Sequence, residues 1–203
     1  MAETIGEKIR LPEPKHESGT SIEKAIHGRR SVREYDDAPL SLQDVSQVLW
    51  AAQGVVGKRI RRAAPSAGAT YPLETYLVVE RVIGLEEGIY RYVPSDHSLE
   101  KLSAGKYSEQ LSDAALGQDC VRDAAANIVF SAVYGRTTSR YGERGVRYVH
   151  MDAGHAAENV YLQCQSLGLG TVAVGAFDDA KVKEVLGLKD DEEPLYVMPL
   201  GKV

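Results

Sequence analysis

The feature that most limits the fold of this chain is a long helical stretch, roughly 138–167, with small residues along its apolar side. Val149, Ala153, Ala156, Ala157, Val160 and Leu167 recur there at helical spacing. A helix with sides this small lets a neighbour approach closely, so it belongs at the centre of a domain or against a second subunit. The chain carries no apolar run of about 18 residues, so no membrane span is expected.

The elements around that helix set the fold class. After a polar segment 1–20 with Pro12 and Pro14, read as an extended arm, "TSIEKAIHGRR" starts a helix with Thr20 and Glu23 at capping-box spacing. A stronger helix follows in "PLSLQDVSQVLWAAQGV", capped by Ser41 with Asp44 and stopped by Gly54. Trp50 on it is expected in the core or an interface. "TYLVVERV" reads as a strand, "GIYRYVPSDHSLEKL" as a hairpin, "YSEQLSDAAL" and "DCVRDAA" as short helices and "ANIVFSAVY" as a buried strand. Beyond the long helix come a strand "GTVAVGAF", a capped helix "DDAKVKEVLGL" and a last strand "PLYVMPLGKV". Regular βαβα alternation is missing, which points to an α+β sandwich, with residues 21–203 forming one domain.

Within an acidic chain, net charge -5, the stretch "GRRSVREYDD" gathers Arg29, Arg30 and Arg33 around Ser31. Like charges this dense repel unless an anion lies between them. Guanidinium forks and a hydroxyl suit a phosphate monoester. The net charge disfavours nucleic acid. The plain alternative is a set of surface ion pairs with Glu23, Glu34, Asp36 or Asp37, which stabilise little. Two further segments bear on the choice. In "APSAGATYP" small residues follow Pro65 and would let main chain approach a flat ligand. In "VGAF", Gly175 and Ala176 offer the same at a strand end.

With these segments, the sequence resembles the FMN-dependent nitroreductase superfamily, and most closely its SagB-type dehydrogenase-like branch. The resemblance runs through "IRLPEP", "SIEKAIHGRRSVREYDDAPLSLQDVSQVLWAAQGV", "APSAGATYPLE", "YVHMDAGHAAENVYLQCQSLGLGTVAVGAF" and "EPLYVMPLGKV". It implies a dimeric sandwich with a mainly antiparallel central sheet flanked by helices and FMN at the dimer interface. Arg29 and Ser31 match the family's phosphate ligands. Arg33 matches a basic residue at the flavin pyrimidine edge and ribityl chain, and Arg30 a position near the same edge. Pro65, Ser66, Ala67 and Gly68 match the loop that reaches the ring from the second subunit. Gly175 and Ala176 match the strand end that addresses flavin N5. The chain departs from the pattern twice: Ala69 stands where many members have Asn, and Lys202 is the one basic residue near the end where many have a further Arg or Lys.

The resemblance implies ping-pong transfer of electrons from NADH or NADPH to a small oxidised acceptor such as a nitroaromatic or quinone, in the cytoplasm. The alternatives are a dehydrogenase acting on a peptide azoline and a flavin-binding or redox-sensing module. Neither nucleic acid nor a membrane is an expected partner. No metal is expected either: His150 and His155 are five residues apart, about 140° around a helix, and cannot share one ion. His155 and Glu158 are spaced to pair locally. Cys120 and Cys164 have no redox or metal spacing and read as ordinary buried or half-buried thiols. "KRIRR" at 58–62 and "SRYGERGVRYVH", with Tyr141, Arg144, Arg147 and Tyr148, could lie beside the flavin mouth or simply be solvated charge.

Overall fold

The computed structural model of the protein describes residues 5–57 and 61–203. Lys58 and Arg59 of the basic run lie outside the described residues. In chain order the elements are β1 (Lys8–Arg10), α1 (Ile22–Gly28), β2 (Leu40–Ser41), α2 (Leu42–Gln53), β3 (Val55–Val56), β4 (Arg61–Arg62), a 3-10 turn (Ala67–Ala69), β5 (Leu73–Val79), β6 (Val82–Ile83), β7 (Gly88–Val93) and β8 (Ser98–Ala104). Then follow α3 (Ser108–Ala114), α4 (Asp119–Arg122), β9 (Ala126–Val133), α5 (Gly135–Tyr141), α6 (Arg144–Leu167), β10 (Leu169–Thr171), α7 (Asp179–Leu186) and β11 (Glu192–Lys202).

The fold is the α+β sandwich expected. One seven-stranded sheet has the order β1-β8-β7-β5-β9-β11-β10, and every neighbouring pair in it is antiparallel. The alternation of strand side chains divides the core between its two faces. Leu77, Val79, Ile128 and Phe130 face one way and pack with Val45, Val48 and Leu49 of α2 and Val149, Ala153, Ala156 and Val160 of α6. Tyr76, Val78, Val129 and Val197 face the other way, toward Leu111 of α3, Val121 of α4 and Val182 and Leu186 of α7. Central strands β5 and β9 are therefore buried on both faces along nearly their whole length, and the polar Thr75, Asn127 and Ser131 are buried with them. The small residues of α6 let it cross the middle of its layer.

Several boundaries differ from the sequence expectation, each for a local reason. The cap of α1 is Ser21, one residue past Thr20, because it is the Ser21 hydroxyl that accepts from Lys24 N. In the segment read as an arm, Lys8–Arg10 pairs with β8 as an edge strand, and Leu11 is buried. The long helical stretch is two helices. Gly142, at φ 56° and ψ -149°, breaks it between α5 and α6, a conformation that only glycine adopts readily. The strand read in "GTVAVGAF" is confined to Leu169–Thr171, and only an isolated bridge from Val174 to Val197 continues it. Trp50 is half-buried, with its ring 5.3 Å from that of His16, at the side of a cleft of about 620 Å³. Both cysteines are free and buried.

Candidate functional site

Helix α1 delivers the arginine turn. Its first turn takes Glu23 for capping: the main-chain N–H of Glu23 and the Ser21 hydroxyl hold this carboxyl below its ordinary value. The helix ends at Gly28, which lies so close to α6 that an added Cβ would come within 2.8 Å of Gln165 Nε2. Arg30 Nη1 turns back to donate to the carbonyls of His27 and Arg29, at 3.0 and 2.7 Å, and so closes the helix C-terminus. Arg29 stacks over the Tyr161 ring, 5.1 Å from its centre. Ser31 Oγ is 3.1 Å from the Tyr161 hydroxyl. Burial pushes the Cys120 thiol up, and the charge of Arg33 opposes that shift.

The surface ion pairs weighed above are not what the structure contains. Among the described residues, none of Arg29, Arg30 and Arg33 has a carboxylate partner within 4.0 Å. Three unpaired guanidinium groups thus flank an exposed serine hydroxyl in an acidic protein.

The small-residue loop is pinned to the first half of α6 and to α5. Ala67 N donates to Asp152 Oδ1 at 3.2 Å, and His155 Nδ1 lies 3.3 Å from the Pro65 carbonyl. Tyr71 N donates to Ser66 Oγ at 3.0 Å. Gly68 has φ 59°, and Arg140 Nη1 donates to its carbonyl at 3.0 Å. Ala69 and Tyr71 also take positive φ, 54° and 46°, a strained state for residues with a Cβ. Asp152 is only 3% exposed, and its second oxygen has no hydrogen-bond partner among the described residues. The two histidines have separate partners: His150 Nε2 is 2.7 Å from the Tyr134 hydroxyl, and His155 takes Pro65 in place of Glu158.

The third segment joins the first. Beyond β10, the main-chain N–H of Ala173 donates to the Tyr161 hydroxyl at 2.7 Å, and Val32 N donates to the Thr171 carbonyl at 2.9 Å. The chain then leaves the sheet, and Gly175 and Ala176 are exposed, with Gln118 Nε2 on the Ala176 carbonyl at 3.0 Å. Lys202, at the end of β11, accepts from Asp36 N through its carbonyl, and its ammonium is 3.7 Å from Asp44.

Helix α6 thus carries two half-sites. Tyr161 holds the arginine turn and the strand end, with Gln165 close against Gly28, while Asp152 and His155 hold the small-residue loop. Asp152 and Tyr161 are nine residues apart on one helix, about 13 Å along its axis at about 1.5 Å per residue. Sequence reasoning missed Tyr161 and Asp152. The one signal for Tyr161 was an aromatic residue just off the apolar stripe, next to Val160.

The chain belongs to the nitroreductase family, whose model matches residues 26–202. A nitroreductase-like protein of Methanocaldococcus jannaschii is 46% identical over 202 residues, covering 100% of this chain and 98% of that one. The crystal structure of a nitroreductase-like protein from Ralstonia eutropha matches with TM-score 0.85 and 34% identity, over 100% of this chain and 92% of that one. An NADPH:FMN oxidoreductase from Vibrio harveyi, solved with NAD+, has TM-score 0.65 at 22% identity, over 89% of this chain and 68% of that one. This last likeness shows the fold alone. Family membership makes the protein an oxidoreductase.

Proposed function

We propose that the protein is a homodimeric, FMN-dependent oxidoreductase that takes electrons from NADH or NADPH and passes them to a small oxidised acceptor, a nitroaromatic or a quinone. The observation that carries the reading is the set of unpaired arginines around Ser31. The residues fit the group: forked donors and a hydroxyl for a phosphate, and exposed main chain at Gly175 and Ala176 for the polar edge of a ring. Bound FMN would supply the two-electron chemistry that no side chain here offers.

In this reading Arg29 and Ser31 hold the phosphate, with Lys202 adding charge. Arg33 and Arg30 set positive charge at the pyrimidine edge, where negative charge develops on reduction. Pro65, Ser66, Ala67 and Gly68 come from the second protomer. The separation of the two half-sites along α6 supports that division. So do the exposed apolar side chains of Ile22 and Ile26 on α1 and Val146 and Met151 on α6, which a partner would cover.

The test is to release the flavin by heat and weigh it, then titrate the holoprotein anaerobically with NADH and NADPH. FMN, bleached by either dinucleotide and reoxidised by a quinone, is the expected result. FAD alone, or FMN that neither dinucleotide bleaches, would refute the reading.

A further inference from the structure

A second set of unpaired arginines is left over once the turn at Arg29–Arg33 is assigned. Many cations of this acidic chain have a carboxylate partner: Lys8 with Asp96, Arg91 with Glu100, Lys106 with Glu80, Arg122 with Asp119 and Arg136 with Glu74. Arg140, Arg144 and Arg147 are exposed, and among the described residues none has a carboxylate within 4.0 Å. Glu143 sits in the same corner with no ion pair among the described residues, and Glu74 is taken by Arg136.

These arginines are laid out on aromatic rings. Tyr141 and Tyr148 meet edge to face across the break at Gly142, with ring centres 5.1 Å apart. Arg140 lies 5.4 Å from the centre of the Tyr141 ring and Arg144 5.9 Å from that of Tyr148. The ledge abuts the loop: Arg140 donates to the Gly68 carbonyl, and an added Cβ on Gly68 would come within 2.8 Å of Arg140 Nη1. A ligand bound beside Gly68 would have these groups next to it.

We propose that this ledge binds the 2′-phosphate and adenine of NADPH, so that the protein takes NADPH in preference to NADH. The inference rests on the function proposed above and names its electron donor. A phosphate monoester carries nearly two negative charges at pH 7. Guanidinium forks match its oxygens where a ribose hydroxyl gives them nothing. The tyrosine rings, each already paired with a guanidinium plane, offer flat surfaces to a purine. A dinucleotide without the phosphate would cover these arginines and leave them unpaired, which is what makes such a site discriminate.

The experiment titrates the flavin-loaded protein calorimetrically with adenosine 2′,5′-bisphosphate and with 5′-AMP, and follows anaerobic bleaching by NADPH and NADH. The expected result is binding of the bisphosphate at least about tenfold tighter than 5′-AMP, as one charged hydrogen bond allows. Arg144→Gln should lower that ratio about tenfold, and Arg144→Lys should restore part of it. Arg144 makes no hydrogen bond within the described chain, and a thermal melt confirms that the variants fold. Equal binding of the two adenylates, or a ratio that Arg144→Gln leaves intact, overturns the inference. Equal bleaching by the two dinucleotides overturns it too, but leaves the oxidoreductase reading standing. Bleaching by neither overturns both.

Discussion

Replacing Tyr161 with Phe tests the link that joins two of the three segments of the site. The ring stays, and with it the stacking of Arg29 at 5.1 Å. Only the hydroxyl is lost, and it makes two hydrogen bonds: it accepts from Ala173 N at 2.7 Å and lies 3.1 Å from Ser31 Oγ. A typical intramolecular hydrogen bond contributes about 0.5–1.5 kcal/mol, and a buried N–H left unpaired costs about 1–3 kcal/mol. Ala173 is half-buried and Ser31 exposed, so water can replace part of what is lost. The expected cost is about 1–2 kcal/mol, at the low end of that range. For a domain of this size each kcal/mol lowers Tm by about 2–4 °C. The melt should therefore fall by about 2–8 °C, measured at fixed protein concentration because self-association would make Tm depend on it. If the same loosening reaches Ser31 and the Gly175 strand end, the FMN dissociation constant rises about five- to thirtyfold. Thermal melting and fluorescence titration of the apoprotein read the two effects. An unchanged Tm together with unchanged FMN affinity would refute the view that Tyr161 builds the site.

Arg29→Ala should raise the FMN dissociation constant about ten- to a hundredfold, the loss of one charge-assisted contact, whereas Arg144→Ala should leave FMN affinity alone; titration at fixed salt separates them. Sedimentation of the holoprotein should give a dimer, and a flavin-retaining monomer would contradict the shared site. Burial holds the His97 imidazole below its ordinary value, against a hydrogen bond to the Pro12 carbonyl, the pull of Glu13 and a smaller downward push from Arg10. The neutral form is then favoured in the folded state, so the unfolded state binds more protons as pH falls. The stability from this group is complete above the ordinary value of 6.5 and is lost as pH drops below it toward the folded value. The urea midpoint should fall between pH 7.5 and about 5.5, and His97→Gln should flatten that part of the curve. A wild-type midpoint that is flat in this window would count against it.

What could be read from the sequence was local or periodic. The stripe Val149–Val160 on α6 and the capping pair Ser41 and Asp44 of α2 were legible because helical spacing and cap chemistry act over a few residues. The clustering of Arg29, Arg30 and Arg33 around Ser31 was legible because charge repulsion within five residues needs no tertiary context. Whether those arginines were paired was not, because a carboxylate partner can come from any part of the chain. Only the fold answers that, by leaving Glu23 at its helix cap and Arg30 on its own helix end. The break at Gly142 escaped the pattern because glycine tolerates either state, and its neighbours decide. The strand β10 ended early because the next bonding position, Val172, stands opposite Pro199, which has no N–H to give, while the Ala173 N–H points away from β11 to the Tyr161 hydroxyl. The sequence by itself determined which segments could form helices and strands and which carried charge. The tertiary structure alone decided which segments met, because α6 sets the arginine turn and the Gly68 loop about 13 Å apart along one rigid axis.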